Sequence, residues 1–237
     1  MHAQPTPDGG VLLDRRGRRR SLGNTPGART GRPPGNKGRR FPANPPTIEE
    51  IVRLLQTCSD DDYGMRCRAL LILLWRAGLR ISEALALTEQ DLDPAGNAIT
   101  VRNGKGGKRR IVGIDDWGWS ELQPWLERRR ELPVGELICV LSGPTLGRAM
   151  SDSCARRDLH NLGAKAGIRK RVAPHQLRHA HAVELAREGI SMPLLQRQLG
   201  HSNLATTATY LQGIDPHEVI ERISARPTPM VPARSVL

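Results

Sequence analysis

The apolar positions of this chain fall into segments with helical spacing, interrupted once by a short region of strand-like alternation. From Pro46 the chain reads "PTIEEIVRLL", in which Thr47 and Glu50 form an N-terminal capping box ahead of an amphipathic helix. "MRCRALLILLWRAG" predicts a buried helix over Met65–Ala77, closed by Gly78. "ISEALAL" predicts a second, short helix directly after it. "NAITVRN" and "KRRIVGID" carry β-branched residues and are linked by "GKGG", which predicts a hairpin. "WGWSELQPWLERRR" predicts an amphipathic helix, "LICVLS" a short apolar strand, and "SDSCARRDLHNLGAKAG" a polar-faced helix capped by Ser151. Helices are expected over 174–188, 191–199, 203–210 and 216–224, and there is no internal repeat. The expected class is mainly α with one small antiparallel β-sheet inserted, α+β.

Composition changes this picture mainly at the N-terminus. Residues 1–45 are rich in Gly, Pro and Arg and carry ten Lys/Arg against two Asp/Glu, so they hold +8 of the formal net charge of +12. Such a stretch cannot offset its ordering entropy by apolar burial and is expected to be a disordered basic tail. A body over 46–225 and a disordered C-terminal tail over 226–237 complete the expected organisation. Within the N-terminal tail, "RTGRPPGNKGRR" has the Gly-Arg-Pro core of an AT-hook, which would lay Arg32 into a narrow minor groove. Lys37, Arg39 and Arg40 would contact phosphates beside it. The bland alternative is a solvated basic linker. The overall excess of basic charge points to a polyanion partner, double-stranded DNA.

Cys58, Cys67, Cys139 and Cys154 lack the spacing of a CxxC pair or a zinc site and are expected to be reduced thiols. The longest apolar run, Ala69–Trp75, is too short to span a bilayer, and the opening residues contain no apolar signal-type stretch. A cytoplasmic, nucleoid-associated protein with no membrane contact is expected.

Candidate chemistry gathers at four places. "APHQLRHAH" puts Pro174 at the first helical position, His175 in the first turn and Arg178 three residues later on the same face, where free N–H groups and the helix dipole favour a phosphate oxygen. "LLQRQLGHSN" ends a helix at Gly200 and puts His201 on the corner, nine residues before Tyr210, the only aromatic residue after Leu126. Arg80 follows the helix-breaking Gly78 at the start of another helix, and Lys105 lies among glycines at the hairpin tip. His179 and His181 are read as satisfied surface or core residues.

"GLRISEAL", "GKGGKRR", "HQLRH" and "LGHSNLATTATY", in this order, resemble the tyrosine recombinase (phage integrase) family over about Thr47–Ile220. The resemblance implies that family's catalytic-domain fold and a phosphoryl transfer that uses no metal or other cofactor. Tyr210 would be the nucleophile, giving a 3′-phosphotyrosine and a free 5′-hydroxyl. Arg80 and Arg178 would clamp the non-bridging oxygens, His201 would donate a third hydrogen bond, and His175 would take the phenol proton. Lys105 would protonate the leaving oxygen, with Lys108 its rival. Lys108 and Arg109 are also candidate DNA contacts.

The family usually carries a helical core-binding domain ahead of the catalytic one. Nothing before Thr47 has that composition, so an accessory protein in its place is one expectation. Four protomers on two DNA sites are another, linked by the apolar stripe Ile214, Val219, Ile220 and Ile223, whose alternative is packing on its own domain. Strand exchange of the integration or excision type is the function implied. A type IB topoisomerase would use the same chemistry without exchanging partners, and a catalytically silent DNA-binding relative would keep only the affinity. A metallo-nuclease fits poorly, because no acidic pair flanks the histidines at ligand spacing.

Overall fold

The computed structural model describes residues 44–104 and 109–200, all within the unit Ala43–Leu237. Helix α1 spans Ile48–Thr57 and starts on the expected capping box: Thr47 N donates to Glu50 Oε2 at 2.8 Å and Glu50 N to Thr47 Oγ1 at 3.3 Å. Its buried stripe is Ile51, Leu54 and Leu55. Helix α2, Asp62–Trp75, begins earlier than the apolar pattern indicates, because Asp61 supplies the cap by accepting from Gly64 N at 2.7 Å. Every residue from Ala69 to Trp75 is buried, so α2 is the central helix of the core, apolar around its circumference.

Gly78 ends this segment at φ +63°, a left-handed conformation that favours glycine, and Leu79 N bonds back to Leu73 O at 3.0 Å. Helix α3, Ile81–Leu85, follows, then a 3-10 turn at Glu89–Asp91. The hairpin is present: β2, Ala98–Val101, pairs antiparallel with β3, Arg110–Gly113, in the register Val101↔Arg110 and Ala98↔Gly113. A two-residue strand β1, Leu92–Asp93, adds to the other edge of β2 and is too short to register in the sequence pattern.

Helix α4, Asp116–Arg130, packs Trp119, Leu122, Trp125 and Leu126 into the core beside α2. The segment expected to be a strand at "LICVLS" is not one. Leu137, Ile138 and Cys139 are buried, but among the described residues only a single bridge, Cys139 to Ala149, forms there. The bridge is closed by Met150 N donating to Ile138 O and Val140 N donating to Arg148 O, while Leu137 N donates to Leu87 O and the Trp125 indole donates to Leu137 O at 3.0 Å.

Helix α5, Asp152–Lys165, is capped by Ser151 as expected. Helix α6, Pro174–Arg187, packs on α2, and α7, Met192–Leu199, is seated on it through Ala182, Leu195 and Leu199. Inside, Arg66 joins three segments: its Nη2 lies 2.8 Å from Asp158 Oδ2 and its Nη1 donates to Cys139 O at 2.9 Å. All four cysteines are free thiols, three of them buried, in line with the sequence reading. Among the described residues no helix is long and apolar enough to cross a membrane.

Candidate active site

Three loops and helix ends meet around one carboxylate. The left-handed turn at Gly78 buries Leu79 and leaves Arg80 as the N-cap of α3, with its N–H donating to Glu83 Oε2 at 2.8 Å. The Arg80 guanidinium reaches Glu83 Oε1 at 2.7 Å. From β3, Arg110 donates Nη1 to Oε1 at 2.8 Å and Nη2 to Oε2 at 2.9 Å, a two-pronged pair. From α6, Arg178 places Nη1 3.8 Å from Oε2. Glu83 is 4% exposed and Arg178 2%, so the carboxylate and Arg178 are buried, while the Arg80 side chain is partly open to solvent. Burial works to raise the Glu83 pKa, but the Arg110 hydrogen bonds, the Arg80 N–H and the Arg110 charge outweigh it and hold the carboxyl at about 2.

The same three arginines also cap the end of α7. Gln198 O accepts from Arg110 Nε at 3.3 Å, Leu199 O accepts from Arg178 Nη2, and Gly200 O accepts from Arg80 Nη2 at 3.1 Å. Arg178 Nη1 also donates to Gly78 O, tying the two turns together. These carbonyls lie at the negative end of the α7 dipole, which favours cations. Gly200 is left-handed at φ +62°, and a Cβ there would lie 2.8 Å from the Arg110 side chain, so conformation and packing both select glycine.

The structure thus brings Arg80 and Arg178 together around Glu83. His175 is exposed on the first turn of α6, while Arg178 is buried one turn on. The His175 imidazole lies below its ordinary 6.5, first because the surrounding protein costs its charged form hydration and then because Arg171 and Arg156 stand nearby. It is therefore neutral at pH 7. Lys105, Lys108, His201, Tyr210 and the tail residues Arg32, Lys37, Arg39 and Arg40 lie outside the described residues. Arg109 is exposed just before β3.

Two members of the cluster are absent from the sequence reading. Glu83 stands three residues after Arg80, the capping-box spacing, and Arg110 shares a face of β3 with the inward-facing Val112; these local patterns mark the two positions but not their pairing.

His181 departs from its expected role as a satisfied core residue. It is buried, but its Nε2 has no hydrogen-bond partner among the described residues. Burial, then the charges of Arg178 and Arg76, lower its pKa to about 3, so it is a neutral imidazole. Its ring packs against Gly78, where a Cβ would lie 2.3 Å from Cδ2.

An apolar cavity of about 430 Å³ opens between β3, α6 and α7, and its lining includes Ile111, Ile190 and Leu194, all three exposed. Among the described residues no group of His, Cys, Asp and Glu is arranged to hold a metal ion.

The family model described as the phage integrase family matches residues 47–215. The tyrosine recombinase XerA of Pyrococcus furiosus is 35% identical over 178 residues, 74% of this chain and 60% of that protein. The crystal structure of XerA recombinase superposes with a TM-score of 0.68 at 30% identity, covering 85% of this chain and 72% of that one. The XerH site-specific recombinase bound to its difH substrate gives a TM-score of 0.63 at 26% identity, over 78% of this chain and 55% of that one. The chain spans about half to three fifths of the length of the curated relatives it matches.

Proposed function

The chain belongs to the phage integrase family, the tyrosine recombinases, and on that footing we propose that it is a site-specific DNA recombinase that cuts and rejoins DNA through a 3′-phosphotyrosine. The observation that carries the reading is the convergence of Arg80 and Arg178 on Glu83 and on the carbonyl end of α7. Three guanidiniums and one carboxylate leave a surplus of two positive charges around a buried carboxylate. That surplus suits the charge that grows on the non-bridging oxygens as a phosphate becomes five-coordinate.

In the proposed step, Tyr210 Oη attacks phosphorus and the P–O5′ bond breaks. The neutral His175 accepts the phenol proton, and Lys105 or Lys108 gives a proton to the departing O5′. Arg80 and Arg178 hold the non-bridging oxygens. His201, directly after the Gly200 carbonyl that Arg80 bonds, adds a third donor. The phosphotyrosine keeps the energy of the broken diester, so religation needs no ATP. On a nicked DNA half-site, Tyr210→Phe is expected to abolish the covalent protein–DNA adduct while retaining DNA binding. A persistent adduct would overturn the assignment of the nucleophile.

Double-stranded DNA is the partner this reading requires, and XerH in its solved complex is bound to its difH substrate. Four protomers on two sites is the assembly proposed. The apolar cavity between β3, α6 and α7 supports it as the seat for the Ile214–Ile223 stripe of a neighbouring copy. Truncation after Gly213 is expected to keep cleavage of a nicked half-site and lose the tetrameric complex by light scattering. An undiminished tetramer would refute the docking.

A further inference from the structure

Arg110 has no role in the chemistry described above, yet it makes the most complete contact with Glu83. Its two terminal nitrogens meet the two carboxylate oxygens at 2.8 and 2.9 Å, and its Nε donates to Gln198 O at 3.3 Å. All of these bonds point into the protein, and the side chain is only 12% exposed. Those bonds commit it to Glu83 and to the end of α7. The strand that carries it is fixed from the other end as well. The Gln198 side chain accepts from Gly113 N at 2.9 Å and donates to Gly113 O at 2.8 Å, so β3 is tied to α7 at two points.

Consider the charges without Arg110. Glu83 would face Arg80 at 2.7 Å and Arg178 at 3.8 Å, and its one negative charge would offset half of a two-cation clamp. With Arg110 in place, the carboxylate is matched by a third cation in two-pronged geometry. It can still accept from the Arg80 N–H and guanidinium, which orients Arg80, while the cluster keeps its surplus of two positive charges. We propose that Arg110 is a positioning residue for catalysis: it neutralises Glu83, so that this carboxylate aims the Arg80–Arg178 clamp without cancelling its charge. The proposal deepens the recombinase reading and rests on it.

The test compares an ordinary scissile phosphodiester with a methylphosphonate at the same position, in which a methyl group replaces one charged oxygen. Formation of the covalent adduct is timed on nicked half-sites of both kinds, for the parent protein, Arg80→Ala, Arg110→Met and Arg110→Lys. Thermal melts show which variants are folded. Arg110→Met is expected to slow cleavage of the phosphodiester by about 10²-fold, the scale of a misplaced or missing transition-state donor. Arg110→Lys keeps the charge without the two-pronged geometry and should lose less, so it serves as the readout if the Met variant does not fold. On the methylphosphonate there is less charge to stabilise, so most of the loss should disappear for the Arg110 variants and for Arg80→Ala alike. If Arg80→Ala is slowed equally on both substrates, the clamp reading itself is wrong. If the Arg80→Ala defect shrinks but the Arg110 defect does not, or if Arg110→Met has no defect, the clamp stands and the role given to Arg110 is wrong.

Discussion

Glu83→Gln is the substitution that most directly probes the centre of the cluster. Glutamine has nearly the same shape, so the change removes a charge and replaces one acceptor by a donor. Oε1 receives Arg80 Nη1 at 2.7 Å and Arg110 Nη1 at 2.8 Å; Oε2 receives Arg80 N at 2.8 Å and Arg110 Nη2 at 2.9 Å. Whichever way the amide turns, its NH₂ faces two N–H donors. Three guanidiniums also lose their shared counter-charge. Breaking a buried ion pair by removing one partner costs about 3–5 kcal/mol. For a domain of this size each kcal/mol shifts Tm by about 2–4 °C, so a fall of roughly 6–20 °C is expected at pH 7.

The pH dependence gives the sharper signature. The folded-state pKa of Glu83, about 2, lies below its ordinary 4.5. Its contribution is therefore present above pH 4.5 and is lost as pH falls toward 2. Circular-dichroism melts of parent and variant from pH 7 to pH 2, at fixed ionic strength, should show a wide gap that narrows below pH 4.5 and closes near 2. Equal Tm values at pH 7, or a gap that does not change with pH, would refute the reasoning.

Two further outcomes are expected. Gly78→Ala forces a left-handed alanine, which costs about 1–2 kcal/mol, and drives its Cβ to 2.3 Å from His181 Cδ2; the urea midpoint should drop, and an unchanged midpoint would show that the turn tolerates a side chain. Deleting residues 1–45 removes ten Lys/Arg and should flatten the log–log salt dependence of DNA binding by several units, at about 0.9 for each phosphate that is no longer neutralised; fluorescence anisotropy across a salt series checks this, and equal slopes would make the tail a bystander.

The legible parts of the fold are those governed by local chemistry. The Thr47–Glu50 box, the Gly78 turn, the Ser151 cap and the hairpin each depend on residues close together in the chain, and each forms where the pattern puts it. "LICVLS" misleads because an apolar run specifies burial but not a ladder partner, and among the described residues only Ala149 offers it a bridge. Arg80 and Arg178 are legible because their helix-start positions mark them. Glu83 and Arg110 are not, because their meaning lies in a pairing across 27 residues that neither segment announces alone. Their environments decide the matter: an acid and an arginine become a neutral pair only once α3, β3 and α7 have excluded water.

The α7 carbonyls that cap the three arginines also set a schedule. Arg80 and Gly200 are 120 residues apart, and Arg110 and Gln198 are 88 apart. A ribosome releases Arg80 and Arg110 well before it releases the carbonyls that orient them. During translation, α2, α3 and the hairpin can form around Glu83 while the clamp still lacks its far wall, and a chain cut short before Leu199 would carry the cations without the geometry. Clamp assembly is thus tied to completion of nearly the whole described domain.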